Sequence, residues 1–151
     1  MKLSGTQKFA APSAEVFNAI LNPEILKSCI PGVESLSYNS PTQLDLEATI
    51  SLPFPGLNDL YFGFQIDITK QQAPNLVEFA VSHKGRKGSL ETTCQISLAD
   101  EADGSVLTYS GSAEFGGLVT IADNPIGQGI AKSKLAEIFK NLEKAVTQAR
   151  V

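Results

Sequence analysis

The sequence predicts an α+β domain in which an antiparallel sheet of about seven strands wraps around one long C-terminal helix. Two observations carry this prediction. Between Leu36 and Phe115, apolar side chains recur at every second position in successive runs separated by turn residues. That is the pattern of antiparallel strands with one wet and one apolar face. From Pro125 to Ala149 the period changes to 3.6, placing Ala131, Leu135, Ile138, Phe139, Leu142, Val146 and Ala149 on one side, the mark of an amphipathic helix. Asn124 is its N-cap and Pro125 suits the first helical position. Such a helix runs roughly 35 Å and needs a broad apolar partner, because each buried Leu, Ile or Phe is worth roughly 1.5–3 kcal/mol.

The remaining elements follow in order. Leu3, Gly5, Gln7 and Phe9 alternate with polar residues and form the first strand. Pro12 opens a short helix with Val16, Phe17, Ile20 and Leu21 on one side, and Asn22-Pro23 starts a second. That helix ends near Cys29-Ile30-Pro31-Gly32, since the residue before a proline disfavours the helical region. Six strands follow. Their inward rows are Leu36 and Tyr38; Leu44 to Leu52; Leu60 to Ile68; Val77 to His83; Leu90 to Leu98; and Leu107 to Phe115. Pro74-Asn75, Lys84 to Gly88 and Asp100 to Gly104 are turns. Pro53 to Asp59 is the unusual connection, carrying Phe54 and Leu57 where a tight turn would be polar.

A chain of 151 residues, 42% apolar and 19% charged, is one ordinary globular domain spanning residues 1–151. Its net charge of −4 argues against nucleic acid as a partner. Two cysteines make no disulfide framework, and no window has the length of a signal peptide or a membrane span. A cytoplasmic location is expected, with peripheral membrane contact left open.

The chain resembles the carbon monoxide dehydrogenase G-subunit family, within the START-like, polyketide cyclase-like, helix-grip superfamily. The residues that carry the resemblance are Leu3-Ser4-Gly5, Ala11-Pro12 with Val16-Phe17, and Asn22-Pro23 with Leu26. Cys29-Ile30-Pro31-Gly32-Val33 is the most specific piece. Gly85 to Gly88, Ser110 to Ala113, Gly116-Gly117 and Ile138-Phe139 with Leu142 complete it. The resemblance implies a cavity between sheet and helix that binds an apolar small molecule or lipid. It also implies service to a molybdenum-containing dehydrogenase, in maturation or membrane attachment.

No catalytic constellation stands out. Asp45, Glu47, Asp67, Glu78, Glu91 and Glu114 all fall on the polar parity, and an acid–base pair must converge inside a pocket. One histidine builds no metal site alone, and no cofactor is called for. Cys29 and Cys94 read as structural, and a cyclase or hydratase using His83 or Tyr109 is the enzymatic alternative. The expected cavity is lined by Phe62, Phe64, Phe79, His83, Leu107, Tyr109 and Leu135, with Phe54 and Leu57 as a lid or partner contact. Gln7, Tyr38 and Tyr109 are polar groups on the inward parity. His83 either hydrogen-bonds a ligand carbonyl at the cavity end or sits solvated at the strand's wet end, the simpler reading. Lys84 to Lys87 form a basic hairpin tip suited to anionic lipid or to solvent alone.

Overall fold

The structure, a computed structural model, describes residues 1–51, 59–85, 88–117, 120 and 123–149. The elements are β1 (Lys2–Phe9), α1 (Ser13–Ile20), α2 (Pro23–Cys29), β2 (Val33–Ser40), β3 (Gln43–Ile50), β4 (Leu60–Gln72), β5 (Leu76–Gly85), β6 (Gly88–Glu101), β7 (Gly104–Gly117) and α3 (Pro125–Ala149). The seven strands form one antiparallel sheet in the order β1-β7-β6-β5-β4-β3-β2. The chain starts at one edge, crosses to the other through α1 and α2, and meanders back. The predicted fold class and the bounds of the long helix are those observed.

The inward rows sort as their alternation requires. Leu44, Leu46 and Ala48 on β3, Leu60 and Phe62 on β4, and Ile96 and Leu98 on β6 are buried. Tyr38 keeps the inward parity, paired with the buried Leu44, but lies on the edge strand β2. It is 38% exposed, and its hydroxyl donates to the Leu21 carbonyl at 2.7 Å. The nearby shift in the register of β2 comes only after Tyr38, between it and Ser40, so the parity of Tyr38 holds and its exposure reflects its place on an edge strand.

Each helix is fixed by a partner distant in sequence. α1 lacks a side-chain cap of its own, and the Ser13 amide donates to Asp100 Oδ1 on β6 at 2.8 Å. That hydrogen bond holds the exposed Asp100 carboxyl below its ordinary value. In α2, Asn22 Oδ1 accepts from the amides of Glu24 and Ile25 at 3.0 and 3.4 Å. The turn after it needs Gly32. Its φ is +84°, its carbonyl accepts from the Thr49 amide at 2.9 Å, and a Cβ there would collide with the Thr49 carbonyl.

α3 begins as predicted, with Asn124 Oδ1 accepting from the Gly127 amide at 2.8 Å. Asn141, which the helical pattern assigns to the polar side, is half-buried and donates to the Cys29 carbonyl at 3.0 Å. It thereby satisfies a carbonyl at the end of α2. On the sheet side, the Phe139 ring stacks on Tyr109, centroids 4.6 Å apart and planes 22° from parallel. Tyr109 faces Gly5 across the β1–β7 pairing, and a Cβ on Gly5 would collide with the tyrosine ring. Gly5 therefore makes room for an aromatic ring rather than for an empty volume. Gln128 Nε2 donates to the Lys2 carbonyl at 3.1 Å. The closest backbone approaches of α3 are to β1, α1 and α2, rather than to the central strands β3–β6.

This docking predicts a difference between two leucines of α3. Leu142 is 1% exposed whereas Leu135 is half-buried. Chemical denaturation should show a loss of about 2–5 kcal/mol for Leu142→Ala and a clearly smaller loss for Leu135→Ala. The Asp100 carboxylate, with its lowered value, stabilises the fold above the unfolded carboxylate range, and this is lost as pH falls through its folded value. Asp100→Asn should therefore melt earlier than the native chain at neutral pH. The difference should shrink progressively below about pH 4.

Candidate functional site

The inner face of the central strands carries the predicted site residues in two groups. The first lies where β4 and β5 face each other. Phe62 is buried and Phe64 half-buried, their centroids 5.7 Å apart. The His83 ring stands edge-on to Phe62 at 4.8 Å and tilted against Phe64 at 5.5 Å. Its Nδ1 donates to the Gly63 carbonyl at 2.6 Å. His83 is thus half-buried, with its ring against two aromatic rings and its hydrogen bond exposed.

The second group surrounds Tyr109. That ring is buried beneath Phe139, and Phe79 on β5 pairs with Cys94 on β6. Burial pushes the Cys94 thiol up to about 11 and raises Tyr109, with Cys94 nearby adding to the shift in the tyrosine. Cys29 is also raised, by burial, with the Ser28 hydroxyl opposing. Thiols held in their protonated form are poor nucleophiles, which fits the structural reading of both cysteines.

The other predicted residues fall as follows. Leu107 has no exposed surface and belongs to the packed core, while Leu135 is half-buried on the inner side of α3. Gln7 is half-buried, but its amide donates to the Lys8 carbonyl at 3.1 Å. Phe54 and Leu57 lie outside the described residues, as do Arg86 and Lys87 of the basic tip. The neck of the connection that carries Phe54 is described. Ser51 Oγ donates to Asp59 Oδ1 at 2.9 Å and accepts from the Asp59 amide at 2.8 Å. Phe139 and Cys94 join the second group, although the sequence reading assigns neither to the site. Cys94 lies on the inward parity of β6 and Phe139 on the apolar side of α3, which are their only signals.

Several inward side chains remain half-exposed, among them Phe64, Ile66, Phe79 and Cys94. They lie on the strands over which α3 does not closely pass. On the outer face, Asp45, Glu47, Glu91 and Glu114 are exposed and Asp67 and Glu78 half-buried, as alternation requires. Among the described residues, no group of three His, Cys, Asp or Glu side chains could hold a metal ion. Among them, too, no helix is long and apolar enough to cross a membrane.

Comparison with known proteins agrees with this architecture. A conserved protein from Geobacillus kaustophilus superposes with a TM-score of 0.89 at 24% identity, over 99% of this chain and 97% of the other. A protein from Thermus thermophilus gives 0.74 at 14% identity over 100% of both chains. Ara h 8.0201 gives 0.70 at 16% identity over 98% of both. These likenesses establish the helix-grip fold. No curated protein sequence matches. The family model for the carbon monoxide dehydrogenase G subunit (CoxG) matches residues 5–147, and the chain belongs to that family.

Proposed function

We propose that this protein binds an uncharged apolar small molecule or lipid between the central strands and α3, without chemical conversion. One observation supports the reading above the rest. α3 is anchored on β1, α1 and α2, while inward aromatic and aliphatic side chains of the central strands keep exposed surface beneath it. Exposed apolar surface facing inward is favourable to cover, at roughly 25 cal/mol per Å². A ligand hiding about 200 Å² there gains roughly 5 kcal/mol before the costs of association. The inward rows of the seven strands carry no Asp, Glu, Lys or Arg among the described residues, so an ionised ligand buried there would find no countercharge.

The non-catalytic part of the proposal rests on the outward carboxylates and the two raised thiols. The family's name motivates a second reading, in which the bound molecule or the protein itself serves a molybdenum-containing carbon monoxide dehydrogenase in the cytoplasm. The carrier and the accessory readings are compatible.

Native mass spectrometry of the protein and fluorescence titration with Nile red, a neutral apolar dye, test the binding proposal. Saturable dye binding is expected, and Phe79→Trp, which adds bulk on the inner face, should weaken it severalfold while the melting temperature holds. A folded protein that neither retains nor binds an apolar molecule would remove the carrier reading and leave the accessory role.

A further inference from the structure

The β4–β5 pairing ends before the strands do. Its last partners at this end are Gln65 and Ser82, although β4 begins at Leu60 and β5 continues to Gly85. Over the same stretch β4 stays paired with β3 through Leu60, and β5 with β6 through Gly85. The sheet therefore parts between β4 and β5. The Gly63 carbonyl, left without a ladder partner on β5, is taken by the His83 side chain. On the outer face a cleft of about 480 Å³ lies over this gap, bordered by Asp45, Glu47, Gly63, Gln65 and Ser82, with Phe64 and His83 also on its border. A Cβ on Gly63 would meet nothing within 4 Å, so the missing side chain helps to leave this space open.

The hydrogen bond to Gly63 fixes what the imidazole can offer. A carbonyl oxygen only accepts, so Nδ1 carries a hydrogen. In the neutral ring Nε2 is then an acceptor. No hydrogen bond to Nε2 is present among the described residues, and the ring lies between Phe62 and Phe64 on the inner face. The inward rows around it carry no Asp, Glu, Lys or Arg among the described residues, so an anion there would find no countercharge.

We infer that His83 is the specificity-determining residue of the proposed ligand site and that it reads a hydroxyl. An uncharged apolar molecule bearing an alcohol or phenol donates to His83 Nε2, with its apolar body against Phe62 and Phe64. This inference rests on the binding function proposed above and sharpens it. A carbonyl acceptor, the group expected from sequence, is the wrong partner for this tautomer. An ammonium would also donate, but it would lose its hydration among phenyl rings.

The test uses four probes of one shape: 1-naphthol, 1-methoxynaphthalene, 1-naphthoate and 1-naphthylmethylamine, titrated into the full chain at about pH 7.5. The native protein should bind 1-naphthol about fivefold or more tightly than its methyl ether, the scale of one buried hydrogen bond. His83→Asn, which can keep a donor towards Gly63 but loses the acceptor, should abolish that preference, weakening naphthol binding more than ether binding. His83→Gln, which restores an acceptor at longer reach, should recover part of it. Equal binding of naphthol and ether by the native protein would overturn the inference while leaving the binding function intact. Tightest binding of the naphthoate or the amine would do the same. Failure of all four to bind would overturn both. Imidazole 15N NMR of the native chain supplies a readout that needs no ligand or variant, and a hydrogen on Nε2 with Nδ1 bare would refute the tautomer on which the inference stands.

Discussion

The architecture depends on one ring resting where a side chain is missing. Gly5 leaves the β1 edge bare, the Tyr109 ring occupies that space, and Phe139 of α3 stacks upon it. Aromatic stacking adds about 0.5–1.5 kcal/mol to the burial of the two rings. More importantly, it settles where the long helix lies. Held at Tyr109 and at Lys2 near the β1 edge by Phe139 and Gln128, and at the end of α2 by Asn141, α3 has its anchors away from the central strands. The apolar inner rows of the central strands then face a helix fixed elsewhere. The half-exposed inward residues are a consequence of that placement, not of small residues hollowing the sheet.

The same logic explains the residues by which the chain resembles its family. Cys29-Ile30-Pro31-Gly32 turns the chain out of α2 and into β2, with Gly32 at positive φ against the Thr49 carbonyl. The Cys29 carbonyl then receives the Asn141 amide. A short tetrapeptide thus ties together a helix end, a strand start and the middle of α3. Its composition reflects backbone geometry and docking rather than chemistry at the sulfur, whose thiol is raised by burial.

Much of this was legible in the sequence because it rests on local periodicity. Alternation located the strands and their inner faces, and the Asn124-Pro125 signal located the start of α3. Contacts between distant positions were not legible. Asp100 capping α1, Asn141 meeting Cys29 and Tyr109 covering Gly5 join residues 87, 112 and 104 positions apart, taking 100 − 13, 141 − 29 and 109 − 5. No local pattern encodes such meetings. The exposure of Tyr38 was not legible for a related reason, since parity gives its face but not the edge position of β2. Of the site, the aromatic members on β4 and β5 followed from parity. The half-buried setting of His83 depended on where the β4–β5 ladder stops, which alternation cannot reveal.

The central claim is that the anchoring of α3 leaves apolar room over the inner face of β4, β5 and β6. Xenon settles in apolar cavities and ignores polar chemistry, so a crystal of the ligand-free protein under xenon pressure tests the claim most directly. The account predicts xenon density between α3 and the side chains of Ile66, Phe79 and Cys94. A well-ordered crystal with no xenon there, and with those side chains in direct contact with α3, would contradict it.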